Sequence, residues 1–222
     1  MRKGITAISI IALTVIIAWA VWRLPPFSDR MQHLVAAHLA ISGVENPVTA
    51  VLLNFRGYDT LLEIGVLLLA AVSVLSTAIS TTSTSKDTPP SSIQILLLRQ
   101  LLPIVVLVGG YILWIGEYAP GGAFQAGAVL AAGGVLLVTS AVKINQFTVR
   151  IMPIGLTIGL LTFLGIALAT MIAAGNLLQY PQAWAGKLIL AIEAAATISI
   201  AVILTILFIG GQPAGGHSAG DE

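Results

Sequence analysis

Apolar residues in this chain come in long unbroken runs set apart by short polar stretches, rather than in alternation. The runs cover roughly 4–22, 60–80, 93–115, 122–142, 151–175 and 188–210. Each is close to the ~20 residues a helix needs to cross a hydrocarbon core. With no period of two, barrel strands are excluded. The pattern predicts an all-α, polytopic integral membrane protein with about six transmembrane helices. The first run opens on Arg2 and Lys3 and closes on Trp19, Trp22 and Arg23, with no small-residue cleavage site, so it reads as a retained span.

A long outer segment separates the first two runs. Ser28 or Asp29 caps a short helix there, and Gly43 ends it; Met31, Leu34, Val35, Leu39 and Ser42 share a stripe that Arg30, His33 and Ala37 avoid, as in a helix lying at an interface. Asn46-Pro47 then reads as a cap and first helical residue, opening a second short helix to about Asn54. Between the second and third runs, "STTSTSKDTPPSS" has no apolar period and reads as a solvated linker. The organisation is therefore 2+4: a two-span module over 1–80, a linker over 81–92, a four-span domain over 93–210 and a disordered tail over 211–222.

Composition sharpens this picture. With 57% hydrophobic and 9% charged residues the chain has too little polar surface to clothe a soluble globule of its size. A net charge of +1 excludes a nucleic-acid face, and the absence of cysteine excludes disulfides, thiolate metal sites and cysteine nucleophiles. With the N-terminus in the cytoplasm, Arg2, Lys3, Lys86, Arg99, Lys143 and Arg150 fall inside, against Arg23, Arg30, Arg56 and Lys187 outside; this excess sets the expected orientation.

Ionisable groups within apolar spans carry the candidate chemistry, since a charge near mid-bilayer costs at least ~2.5 kcal/mol and persists where it faces protein or water. Glu63 and Glu193 qualify. Glu193 lies six residues past Lys187, roughly 9 Å into its helix, with Thr197 one turn on along the same face. It reads either as a structural hydrogen-bonding group or as a carboxyl on a proton or cation path. Glu63 closes "TLLE", which fits a capping box begun by Thr60; Asp59 is a competent cap, and Arg56 is placed to pair with either carboxylate. Arg99 begins the third span, where snorkelling to the cytoplasmic surface is the ordinary role. His33 and His38 are five apart and do not suit a helical metal pair; Glu117 reads as exposed. Small residues at helical spacing, among them Gly127 with Ala131, Gly155 with Gly159, and Ala191, Ala195 and Ser199, predict close helix contacts. No nucleophile elbow, phosphate loop or dinucleotide fingerprint is present, so an enzyme acting alone is not expected.

Two stretches resemble known membrane modules. "EYAPGGAFQAGAV" after "RQLLPIVVLVGGYILWIG" resembles the B subunit of multisubunit Mrp-type sodium/proton antiporters, with Pro120, Gly121, Gly122, Phe124, Gln125 and Gly127 matching, Ala123 and Ala126 in place of glycines, and Glu117 where the family carries a histidine. "NPVTAVLLNFRGYDTLLEIGVLLLAAVSVL" resembles the C-terminal part of the antiporter A subunit and the E subunit of membrane-bound hydrogenases; Asn46, Thr49, Arg56, Gly57, Asp59, Thr60 and Glu63 match.

The resemblance implies a non-catalytic membrane subunit of a cation/proton antiporter, without a cofactor, in a prokaryotic cytoplasmic membrane. Its partners would be the other subunits, lipid, and the transported sodium ion and proton. Glu63, Glu193 and Asp59 become ion-translocation candidates, with Arg56, Thr60, Thr197 and Arg99 in support. Residues 120–127 become an assembly motif whose small residues admit another subunit's backbone while Gln125 hydrogen-bonds groups that lipid leaves unsatisfied. The other reading is a membrane-arm subunit of a redox-driven ion pump.

Overall fold

A computed structural model describes residues 2–23, 30–78, 91–140 and 146–210. The expected caps Ser28 and Asp29, nearly all of the linker and the tail lie outside these. Every regular element among the described residues is helical. The residues pack as two units, 1–37 and 38–222.

The first unit holds α1 (Arg2–Trp22) and the start of α2 (Arg30–Ser42). Side chains from Ile10 to Arg23 are all exposed, as suits a helix whose solvent is lipid. Arg23 lies over the Trp19 ring, 5.0 Å from its centroid, a pairing suited to the membrane–water boundary.

The second unit continues α2 to Gly43, whose φ of +81° is the left-handed conformation that ends a helix. Asn46 caps the next segment by accepting from the Val48 amide at 3.0 Å, with Pro47 at the first helical position. This α3 (Pro47–Thr49) runs on as a π-helical stretch, Ala50–Phe55. There follow α4 (Gly57–Ala78), α5 (Ser92–Ile115), α6 (Ala123–Thr139), α7 (Gln146–Ala174) and α8 (Ala185–Gly210). Ser91 and Gln94 form a reciprocal capping box at the start of α5.

Each of the six predicted spans holds one helix among the described residues. By length and composition α4, α5, α7 and α8 can cross a membrane, and the α2–α3 pair, bent by 91°, makes a fifth if counted as one span. The apolar helix α6 is shorter. Seventeen residues give α6 about 25 Å of length, less than a hydrocarbon core of about 30 Å. The chain is a multi-pass membrane protein.

At the centre stands α8, against which α4, α6 and α7 pack. Its Ile189, Ile192, Ile200 and Ile203 are fully buried. In lipid the helices gain little from excluding water, so their association depends on close approach and interhelical hydrogen bonds. Both occur at Ser199, which donates to the carbonyls of Gly155 (2.9 Å) and Leu156 (2.7 Å) and accepts from the Gly159 amide (3.2 Å). A β-carbon on Gly159 would stand 2.8 Å from that of Ser199, so a larger residue would push α7 off α8. Gly127 admits Ile200 in the same way between α6 and α8.

Candidate functional site

The site is set by where α6 begins. Gly116 ends α5, and residues 117–122 fold back along its last turn, so that the Gly122 amide donates to the Ile112 carbonyl at 3.1 Å. Helix α6 therefore starts below the end of α5. Opposite it lies Glu193, eight residues after Ala185 and about 12 Å along α8.

Glu193 is 5% exposed. Its Oε1 lies against Gly122, 2.7 Å from where a β-carbon would be, and Gly122 has φ +107°. Glycine is needed here for its backbone and for the room it leaves. The amide of Ala123, first residue of α6, is directed at the Glu193 carboxyl, so a helix N-terminus with its unpaired donors faces the acid. Thr197 does share the predicted face: its hydroxyl donates to the Glu193 carbonyl at 2.8 Å and approaches the Ala123 carbonyl at 3.5 Å.

Beside this acid is a cavity of about 220 Å³, room for several waters, lined by Glu193, Glu63, Gln125, Thr60, Thr49 and Gly122 among others. Glu63 and Glu193 thus meet in one space although 130 residues apart in sequence. They meet it differently, since Glu193 is buried and Glu63 is exposed. Glu63 and Gln125 have no side-chain hydrogen-bond partner among the described residues, leaving both groups open toward the cavity and its outer edge.

The capping box expected at "TLLE" does not form. Helix α4 begins at Gly57, three residues before Thr60, and the Thr60 hydroxyl donates instead to the Leu52 carbonyl at 2.6 Å. The π-helical stretch ends at Phe55, and its last carbonyls lack donors of their own, so Thr60 supplies one. Glu63 is therefore not consumed by a local cap. Arg56 pairs with Asp59, Nε donating to Oδ2 at 2.6 Å, on the exposed surface rather than in the cavity. Arg99 is exposed on α5, well apart in the chain from this cluster. Phe124 is half-buried against the core, and Pro120 is exposed at the turn. The close neighbours of Gly121, Gly122 and Gly127 are Ile112, Glu193 and Ile200, all of this chain.

Two further features escape a reading of sequence. Asn46 does more than cap: its Nδ2 donates to the carbonyls of Gly116 (3.1 Å) and Ala119 (2.6 Å), and the Thr49 hydroxyl donates to Gly116 at 2.6 Å. Glu117 is half-buried, not simply exposed. Its carbonyl accepts from the amides of Glu45 (3.1 Å) and Asn46 (2.9 Å), and its carboxyl approaches Gly186 in the first turn of α8, where the helix dipole favours an anion. The negative Glu117 holds the neighbouring Tyr118 phenol above its ordinary range, and burial does the same for Tyr180 in the α7–α8 connection, whose hydroxyl has no partner among the described residues. The only advance signal was composition: a turn rich in unpaired carbonyls, and an Asn and a Thr with donors to spare. Among the described residues no three His, Cys, Asp or Glu side chains converge as a metal site.

Residues 93–212 match a family model described as a domain related to the MnhB subunit of the Na+/H+ antiporter. The chain is similar in structure to the Mrp complex from Dietzia sp. DQ12-45-1b, with a TM-score of 0.70 and 21% identity over 100% of this chain; it spans 26% of that longer chain. It is similar also to a chain of the membrane-bound sulfane sulfur reductase (MBS), an archaeal respiratory membrane complex, with a TM-score of 0.67 and 23% identity over 95% of this chain and 98% of the other. At these identities the likeness is one of fold. No protein of curated function matches the chain by sequence.

Proposed function

The chain belongs to the family of domains related to the MnhB subunit of Na+/H+ antiporters, and from that premise we propose that it is a non-catalytic subunit of a multisubunit cation/proton antiporter, sodium being the expected cation. One observation carries this: Glu63 and Glu193 line a single cavity with polar neighbours. A buried acid near an exposed one, joined by a space wide enough for water, can take up a cation or proton at one and pass it to the other. In this reading Glu63 and Glu193 exchange the ions. Thr60 on the cavity wall and Thr197, bonded to the Glu193 carbonyl, support them, while Arg99 and the Arg56–Asp59 pair lie outside the cavity lining. Residues 120–127 shape the cavity and the surface on which other subunits assemble.

The same reading treats 1–80 as a module like the C-terminal part of the antiporter A subunit, joined by the linker to the B-like domain over 93–210. It sets the chain in a prokaryotic cytoplasmic membrane with its N-terminus inside. An exposed Glu63 on an apolar helix favours cover by another subunit, since lipid would leave the carboxylate unsolvated. In everted vesicles holding the complete complex, Glu63→Gln and Glu193→Gln should each slow cation-driven proton movement by at least about tenfold. Wild-type rates in both would sink the proposal.

A second reading, a membrane-arm subunit of a redox-driven pump, is favoured by one fact. The chain matches a chain of the respiratory complex MBS over nearly its full length, but only about a quarter of the Mrp chain. Ion movement that needs an electron donor, and not a cation gradient, would select it.

A further inference from the structure

We propose that Asn46 and Thr49 are positioning residues for Glu193, holding the turn between α5 and α6 so that its backbone covers that carboxylate. Glu193 is taken here, as above, to be an exchange group.

The last carbonyls of α5 accept from amides of the turn that follows, which leaves the turn's own carbonyls at Gly116 and Ala119 without a helical donor, and in a membrane segment water is a scarce substitute. Asn46 and Thr49, 3% and 4% exposed, fill the gap. A cap for α3 needs only the Asn46 Oδ1. Both Nδ2 protons go elsewhere, to Gly116 and Ala119, and Gly116 takes the Thr49 hydroxyl as well. The backbone amides of Glu45 and Asn46 tie down Glu117 between them. Three residues of one short segment, Glu45, Asn46 and Thr49, thus grip residues 116–119.

That grip is transmitted. A β-carbon on Gly116 would stand 2.7 Å from the Gly122 nitrogen, so the two ends of the turn lie in direct contact. The Gly122 amide is fixed to Ile112, and Gly122 in turn lies on Glu193 Oε1. Releasing 116–119 frees Gly122 and the Ala123 amide to leave the carboxylate, which then meets the cavity and whatever enters it. Besides Glu193, the charged groups around this path are Glu63 on α4, Glu45 before α3 and Glu117 in the turn.

The test uses the intact complex in membranes and the variants Asn46→Asp, Thr49→Val and Thr49→Ser. Asn46→Asp sets carboxylate oxygens against two carbonyls; Thr49→Val removes one donor at nearly constant shape; Thr49→Ser keeps it. Dicyclohexylcarbodiimide labelling of Glu193, read by mass spectrometry, should quicken about three- to tenfold in the first two, the change expected from losing one or a few hydrogen bonds, and stay at the wild-type rate in Thr49→Ser. The apparent KM of cation-driven exchange should move with it in the same two variants. Assembled Asn46→Asp and Thr49→Val complexes that label and exchange as wild type would overturn the proposal. So would failure of both to assemble, which would make the clasp purely structural. A native complex without cation/proton exchange would defeat the proposed function, while the labelling rates would still decide the role of the clasp.

Discussion

Gly122 and Glu193 are so close that a β-carbon on the glycine would stand 2.7 Å from the carboxylate oxygen. With φ at +107° the same position also resists any L side chain. Gly122→Ala should therefore lose stability on both counts, about 1–3 kcal/mol, seen as a lower melting midpoint of the purified complex, and should lose exchange. Adding Glu193→Ala removes the contact but not the backbone strain, so the double variant should recover only part of the stability. A Gly122→Ala complex as stable as wild type would contradict this geometry.

The α7–α8 contact gives a prediction about stability alone. Ser199→Ala leaves two carbonyls and the Gly159 amide without their hydroxyl. Interhelical hydrogen bonds in membranes contribute about 0.6 kcal/mol on average and up to about 1.7 kcal/mol. A loss of that order should appear in thermal unfolding followed by size-exclusion, with exchange retained. Gly159→Leu should be far worse, because Ser199 and the Ala196 backbone occupy the space it needs. Complexes of Gly159→Leu that assemble normally would show that the two helices do not meet there.

Much of this was legible in the sequence, for reasons that also mark its limits. Spans follow from length and apolarity, which are local, and so the helices fall where the runs are. Gly43 and Asn46-Pro47 are likewise local signals, and both hold. Glu63 and Glu193 stand out because lipid makes a carboxylate conspicuous. That they share a cavity is not local, for it depends on how α4 and α6 pack against α8. The capping box at Thr60 failed because the preceding π-helical stretch offered its hydroxyl a better partner, the Leu52 carbonyl. Likewise the double role of Asn46 depends on carbonyls some 70 residues away.

Asp59 differs from the two glutamates in what surrounds it. It pairs with Arg56 on the exposed surface, and exposed pairs are worth roughly 0.2–1 kcal/mol. Asp59→Asn should keep most of the exchange rate and cost little stability, and a double-mutant cycle with Arg56→Ala should give a coupling in that range. If Asp59→Asn instead slowed exchange as much as Glu63→Gln is expected to, the path would have to include the surface pair.

The shared cavity makes a prediction about coupling. If Glu63 and Glu193 act in series on one ion, removing either breaks the path, and removing the second takes away nothing further. Groups that act as a unit are strongly non-additive. Glu63→Gln and Glu193→Gln should each slow exchange by at least about tenfold, a loss of roughly 1.4 kcal/mol in the barrier. The double variant should then match the slower single one rather than the product of the two. Rates in everted vesicles, at equal amounts of assembled complex, decide the matter. Multiplying losses would mean that the two carboxylates serve separate routes, and the cavity between them would then be a packing feature rather than a passage.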